Sequence, residues 1–160
     1  MVALNDATRA TIDHWVAKFP ADRKRSAMIQ GLIAAQDQNK GWLTDELMAA
    51  VAKYLGIPPV WAYEVATFYS MFDLAPVGRH KVAICTNISC WLNGANDLVA
   101  HAEKKLGCKH GGTSPDGKVT LKVEEECLAA CAGAPMMVVD GHYHEKLTPE
   151  SLDKILDSLD

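Results

Sequence analysis

The sequence lacks both a long hydrophobic run and a basic cluster. Its longest apolar stretch near the cysteines covers only residues 134–139, whereas a membrane-spanning helix needs about 20 apolar residues. Acidic residues outnumber basic residues by 20 to 16, and surfaces that bind nucleic acid are basic. We therefore expect neither direct membrane insertion nor a nucleic-acid partner.

The N-terminus also lacks targeting signals. Residues 1–9 show neither the basic and then apolar pattern of a secretory signal nor the arginine-rich composition of a transit peptide. We expect a cytoplasmic protein, and any attachment to a membrane would have to come through a partner. Structural disulfides are rare in the cytoplasm, where paired cysteines more often bind metal or carry out redox chemistry.

The first half of the chain has the hydrophobic periodicity of helices. Apolar residues recur at spacings of three and four, which predicts helices over residues 6–19, about 25–38, 44–53 and 58–72. Thr44 is a suitable N-cap for the third helix, and Gly56 is a suitable stop. Polar positions such as Gln36 are assigned to solvated helix faces.

The second half changes to short strands. Strands are predicted over residues 80–85 and 119–123, with a helix between them that starts near Asn93. A hairpin over residues 135–145 and a last helix opened by Pro149 follow. This order is that of small thioredoxin-like folds. We predict an α+β fold, with a helical region at residues 1–76 and an α/β layer at residues 77–160.

Four of the five cysteines form two close pairs. Cys85 and Cys90 are separated by four residues, Cys127 and Cys131 by three, and 36 residues lie between the pairs. Each pair is predicted to lie in a loop that leaves a strand, at the same end of the sheet. Cys108 lies outside both pairs and is interpreted as a free thiol.

Three kinds of chemistry compete for these four thiols. Zinc takes four thiolates, although its usual knuckles are tighter than these spacings. A redox-active dithiol prefers two residues between its cysteines, which neither pair has. A [2Fe–2S] cluster takes two thiolates per iron, and this pattern fits two adjacent loops that carry one pair each. The cluster is favoured, and the other two stay open.

Longer motifs resemble one family over nearly the whole chain. The sequence is similar to the thioredoxin-like [2Fe–2S] subunit of NADH:quinone oxidoreductase (respiratory complex I), called NuoE in bacteria. The similarity extends beyond the cysteine spacing to several further segments: Gly41-Trp42, Gly56-Ile57-Pro58, residues 65–72, Pro76-Val77-Gly78, Asp116-Gly117 and Ala134-Pro135.

The resemblance implies a fold, a cofactor and partners. It implies a helical region joined to a thioredoxin-like domain, and one [2Fe–2S] cluster held by Cys85, Cys90, Cys127 and Cys131. It implies that FMN and NADH are bound by a neighbouring flavoprotein subunit, among other subunits of the peripheral arm. The isolated chain is then not expected to oxidise NADH, and it has no glycine-rich nucleotide motif. The implied location is the cytoplasmic face of the inner membrane, through the complex.

Two departures and two alternatives accompany the resemblance. Ala129 stands where the family commonly has glycine, and Cys108 is additional. The matching subunits of NAD-linked hydrogenases and formate dehydrogenases share the cysteine pattern and are the first alternative. A zinc-stabilised interaction module without a redox role is the more distant one.

Overall fold

The computed structural model describes residues 3–124 and 126–160 and divides the chain into two compact units, residues 1–76 and 77–160. The first unit contains α1 (Asp6–Val16), a 3-10 helix (Ala21–Ala27), α2 (Met28–Gln38), α3 (Asp45–Leu55) and α4 (Pro59–Phe68). The second contains β1 (His80–Cys85), α5 (Ile88–Leu92), α6 (Ala95–Leu106), β2 (Val119–Glu124), a 3-10 turn (Cys131–Gly133), β3 (Met137–Val139), β4 (His142–His144) and α7 (Pro149–Asp157). The predicted mixture of helices and a sheet is confirmed.

No helix among the described residues is both long and apolar enough to cross a membrane.

The ends of α3 follow the sequence prediction. The hydroxyl of Thr44 accepts a hydrogen bond from the backbone N–H of Leu47 at 3.2 Å, which satisfies one of the unpaired donors of the first turn. Gly56 ends the helix with a φ of +71°, a left-handed conformation that glycine adopts at little cost.

The predicted end of α4 at residue 72 is wrong, because the helix stops at Phe68. The apolar pattern continues, but the side chain of Gln36 holds the following segment in another course. Its amide donates to the carbonyl of Met71 at 3.2 Å and accepts from the backbone N–H of Asp73 at 2.8 Å. The assignment of Gln36 to a solvated face is also wrong, since only 5% of it is exposed.

Each unit has its own apolar core. In the first unit, large side chains from α1, α2 and α3 are fully buried: Ile12, Leu32, Leu47 and Val51. In the second, one face of the sheet and helices α6 and α7 enclose another set: Val82, Ile84, Leu98, Leu121, Met137 and Leu152. Burying a side chain of this size contributes roughly 1.5–3 kcal/mol.

The sheet has four strands in the order β2-β1-β3-β4. Strand β1 pairs with β2 in parallel and with β3 antiparallel, and β3 and β4 form the predicted hairpin. The crossover from β1 to β2 contains α6, as expected, and also the short helix α5. The helix predicted to start near Asn93 is α6, which starts at Ala95, whereas the short helix α5, which contains Cys90, was not predicted.

Candidate metal centre

The two cysteine loops leave neighbouring strands at one end of the sheet. Cys85 is the last residue of β1 and is paired in register with Glu124, the last residue of β2. The residue after Cys85 is tied to the same position, because the N–H of Thr86 donates to the carbonyl of Glu124 at 2.8 Å. Parallel pairing thus brings together two chain segments that are far apart in sequence, which confirms the prediction that both pairs emerge at one end.

Cys85 and Cys90 form an inner, buried pair. Each is only 2% exposed, and both pack with Ala95 and Met136. The backbone N–H of Cys85 donates to the carbonyl of Met136 at 3.1 Å, which fixes the strand end beside the residue that precedes β3. Burial, together with a hydrogen bond to Cys85, raises the pKa of the Cys90 thiol to about 11. This thiol therefore keeps its proton at neutral pH until a metal replaces it.

Cys127 and Cys131 form an outer, exposed pair whose sulfur atoms are 3.2 Å apart. The hydrogen bond between the two sulfurs lowers the pKa of Cys127 and raises the pKa of Cys131. The backbone N–H of Ala129 also donates to the Sγ atom of Cys127 at 3.3 Å. One thiolate is therefore stabilised within this loop by a neighbouring thiol and a backbone amide.

Helix α5 contains Cys90 and also a residue that interacts with the outer pair. A hydrogen bond from Ser89, which lies next to Cys90 in this helix, acts on Cys131 and works to lower its pKa. Ionisation of Cys85 would raise the pKa of Cys131, and ionisation of Cys131 would raise the pKa of Cys90. The four predicted ligands thus lie together, with an inner pair facing the core and an outer pair facing solvent.

The second cysteine loop has a constrained backbone. Ala129 has a φ of +63°, a left-handed conformation that is unfavourable for residues other than glycine. Gly133 is in direct contact with the side chain of Glu145, so that a Cβ atom at this position would overlap the carboxylate. The N–H of Lys146 donates to the carbonyl of Gly133 at 2.6 Å. The segment after β4 therefore holds the loop that carries Cys131.

Sequence reasoning missed the supporting residues of this site. Ser89, Met136 and Glu145 carry no spacing signal of their own, although the first lies beside a predicted ligand in the sequence. The structure places Cys108 away from both pairs, half-buried at the edge of the second core. Burial raises the pKa of the Cys108 thiol.

The donor set fits a two-iron cluster. Within residues 3–124 and 126–160, no three His, Cys, Asp or Glu side chains converge on a point that could hold one metal ion. The arrangement consists of two pairs of thiols, and each iron of a [2Fe–2S] cluster takes two protein sulfurs. The small residues around the outer pair, Ala129, Ala130 and Ala132, leave the backbone close to the sulfurs.

Comparisons with known proteins agree on one family. Residues 12–160 match the family model described as thioredoxin-like [2Fe-2S] ferredoxin. The E subunit of the NADH-quinone oxidoreductase from Rickettsia bellii is 44% identical over 144 residues, which cover 90% of this chain and 86% of the relative. The mitochondrial NADH dehydrogenase [ubiquinone] flavoprotein 2 of Dictyostelium discoideum is 41% identical over 148 residues, 92% of this chain and 60% of that protein.

A solved structure shares the fold. The crystal structure of an NAD+-reducing [NiFe]-hydrogenase in the air-oxidized state matches 79% of this chain and 22% of that chain, with a TM-score of 0.66 and 20% identity. At this identity the likeness concerns the fold alone. From the family model and the similarity to the Rickettsia protein over most of its length, this chain belongs to the thioredoxin-like [2Fe–2S] ferredoxin family, and its cofactor is a [2Fe–2S] cluster.

Proposed function

We propose that this chain is the [2Fe–2S] electron-transfer subunit of an NADH:quinone oxidoreductase. The observation that carries the proposal is the 44% identity to the Rickettsia bellii oxidoreductase subunit over 90% of the chain. The cluster exchanges single electrons with a redox group in a neighbouring subunit. The chain is enzymatic only as part of that oxidoreductase, since this role requires no acid–base or nucleophilic residue.

We propose that Cys85 and Cys90 hold one iron of the cluster and that Cys127 and Cys131 hold the other. The spacing of the pairs, their meeting at one end of the sheet and the 3.2 Å separation of the outer sulfurs support this assignment. Cys108 takes no part, because it packs with the second core rather than with the two pairs.

The residues of the chain orient and screen these four sulfurs. The inner pair is shielded from water by Ala95 and Met136, and the amide of Ala129 stabilises negative charge on Cys127. The outer pair is exposed, so that side of the site can approach a partner. Hydrogen bonds to the sulfurs and exposure to solvent are also the factors that set the reduction potential of such a cluster.

The proposed partner is the flavoprotein subunit that carries FMN and binds NADH. The relatives in this comparison are named as subunits, which supports placing the chain in a multi-subunit assembly. In that assembly the chain takes a peripheral position on the cytoplasmic face of the inner membrane, held there by its partners.

We also propose that residues 77–160 form the cluster-binding domain and residues 1–76 a separate helical domain. All five cysteines lie in the second unit. The buried cores of the two units are made of different residues, and each unit can bury its own apolar side chains.

Assembly with the cognate FMN-binding subunit tests the proposal. The anaerobically purified chain should be red-brown, contain two irons and two sulfides per chain as expected for a [2Fe–2S] centre, and bleach with dithionite. NADH should reduce this cluster only when the flavoprotein subunit is present. A colourless protein with one zinc and no sulfide would instead establish the interaction module.

A competition experiment distinguishes this proposal from the nearest alternative, a subunit of a hydrogenase or formate dehydrogenase. The chain is co-expressed with the flavoprotein subunit of complex I and, where the source organism has one, with the flavoprotein subunit of its hydrogenase or formate dehydrogenase. Stable assembly with the second flavoprotein, and not with the complex I flavoprotein, would move the chain to the other enzyme.

A further inference from the structure

We propose that, when the chain holds no cluster, Cys127 and Cys131 form a reversible disulfide by exchange with a low-molecular-weight disulfide such as glutathione disulfide. The inference rests on the ligand assignment proposed above. Closing this bond removes both sulfurs offered to one iron, so the oxidised chain cannot accept a cluster until a thiol reductant reopens the pair.

The geometry of the outer pair favours bond formation. The two sulfurs are already in contact at 3.2 Å, whereas a disulfide requires about 2.05 Å, so closure needs a shift of only about one ångström. All five cysteines lie in the described part of the chain, and none is in a disulfide. The pair is therefore close to the bonded arrangement without having reached it.

Exposure makes the oxidation selective. Cys127 and Cys131 are exposed, and a dissolved disulfide can reach either sulfur. Cys85 and Cys90 are only 2% exposed and are enclosed by Ala95 and Met136, so the same reagent has no path to them while the unit is folded. Access of the attacking and attacked sulfurs is one of the factors that set the rate of exchange.

The loop keeps the outer sulfurs together. The 3-10 turn Cys131–Gly133 follows directly on the loop, and the N–H of Gly133 donates to the carbonyl of Ala130 at 2.9 Å. Lys146 donates its N–H to the carbonyl of Gly133 at 2.6 Å. These contacts hold Cys131 beside Cys127 in the cluster-free chain, which raises the local concentration of the second thiol.

The exchange proceeds in two balanced steps. A thiolate at Cys127 attacks one sulfur of glutathione disulfide, forming a mixed disulfide and releasing one glutathione. Cys131 then loses its proton to solvent and attacks the Cys127 sulfur, which forms the protein disulfide and releases the second glutathione. Two protein thiols are oxidised, and one glutathione disulfide is reduced to two glutathione molecules.

Trypsin separates the cysteines for the test. Cleavage after lysine leaves Cys85 and Cys90 in residues 82–104, Cys108 in residues 106–109, and Cys127 and Cys131 in residues 123–146. The full-length chain, freed of iron by anaerobic chelation, is treated with glutathione disulfide, alkylated and digested. We expect residues 123–146 to lose two hydrogens and to resist alkylation, while the other two peptides remain fully alkylated.

Three controls make the outcome decisive. Cys131→Ser should stop at the mixed disulfide on Cys127, and Cys108→Ser should behave as the wild type. In denaturant the selectivity should disappear, because the inner pair becomes accessible. Oxidation of residues 82–104 in the folded chain, a persistent mixed disulfide in the wild type, or equal selectivity in denaturant would overturn the proposal.

A second readout concerns cluster uptake. A scaffold protein that carries a [2Fe–2S] cluster is mixed with the reduced or the oxidised chain without free thiol. The visible absorbance should transfer only to the reduced chain, and treatment of the oxidised chain with dithiothreitol should restore transfer. Equal transfer to both forms would show that the disulfide does not block cluster uptake. Absence of NADH-dependent reduction in the assembled complex would instead contradict the proposed function, and it would leave the mass-spectrometric evidence for the disulfide unchanged.

Discussion

The backbone N–H of Ala129 points at the sulfur of Cys127 and donates to it over 3.3 Å. This hydrogen bond is made while Ala129 is in the left-handed region, with a φ of +63°. The loop therefore accepts backbone strain at an alanine in order to direct an amide at a proposed ligand.

Replacing Ala129 with glycine should relieve that strain. A non-glycine residue in the left-handed region costs about 1–2 kcal/mol, and part of the gain is offset by the greater entropy of glycine in the unfolded chain. We expect Ala129→Gly to raise the free energy of unfolding by about 0.5–1 kcal/mol, measured by urea denaturation of the reduced, cluster-free chain. Ala132→Gly is the matched control, because Ala132 is exposed and is not among the residues with a positive φ. This substitution should lower the free energy of unfolding. Destabilisation by both would show that Ala129 is unstrained.

Serine variants of the four proposed ligands should separate them from Cys108. Cys85→Ser, Cys90→Ser, Cys127→Ser and Cys131→Ser should each lose or shift the visible absorbance and the reduced-state EPR signal, because serine replaces the thiolate that iron prefers. Cys108→Ser should leave both spectra unchanged. If Cys108→Ser damaged the cluster as much as Cys131→Ser, the ligand assignment would be wrong.

The second unit should hold the cluster by itself. Residues 77–160 contain every cysteine and a complete buried core. Expressed alone, this segment should take up iron and sulfide and give the absorbance and EPR spectra of the full chain. Residues 1–76 should remain colourless and helical by circular dichroism. Failure of the segment to fold would show that the two units depend on each other.

The ion pair between His80 and Asp140 should make stability depend on pH. The Nδ1 atom of His80 is 2.7 Å from the carboxylate, and this hydrogen bond is the main reason that the pKa of His80 is raised above 6.5. A raised pKa in the folded state stabilises the protein fully below the unfolded value, and the contribution is lost as the pH rises through the folded value. Since the pair is partly exposed, we expect its contribution to the free energy of unfolding to be below about 1 kcal/mol.

Asp140→Asn is a suitable variant for this measurement. Asparagine tolerates the φ of +49° at this position and keeps an oxygen for the N–H of Lys81, which now donates to the carboxylate at 2.8 Å. The stability difference between the wild type and the variant should be largest near pH 6 and should shrink towards pH 9. The control Asp116→Asn, whose carboxylate has a lowered pKa and accepts from Ser114, should show no change across this range. A constant difference for Asp140→Asn would exclude a titrating pair.

The regular elements were predictable from sequence where a local signal exists. The strand over residues 80–85 has the predicted bounds, and Thr148 caps α7 as its position before Pro149 indicates. Helix α5 was not predicted, since five residues are too few to display a period of 3.6. The early end of α4 depends on Gln36, which is 35 residues from its partner Met71 in the sequence, and no local pattern reports such a contact.

The place of the candidate site in the fold was predictable, but its asymmetry was not. Spacing alone grouped the cysteines into pairs, and strand order placed the pairs at one end of the sheet. Nothing in the spacing distinguishes the buried Cys90 from the exposed Cys131, because burial depends on Met136 and Ala95, which approach from other parts of the chain. The strained Ala129 was visible only as a departure from a glycine that is common in the family.

The parallel pairing of β1 with β2 gives the cluster a further consequence, for folding. Cys85 is the last residue of β1 and Cys127 follows β2, and the two strands are joined by the entire crossover through α5 and α6. With the proposed ligands, a cluster whose two irons are held by the two loops would act as a cross-link that closes a long loop of the chain. By the entropy estimate used for a disulfide across a loop of this length, such a link disfavours the unfolded state by about 4 kcal/mol. The cluster would then stabilise the folded state as well as carry electrons. Its loss should lower the melting temperature of the second unit and remove its colour.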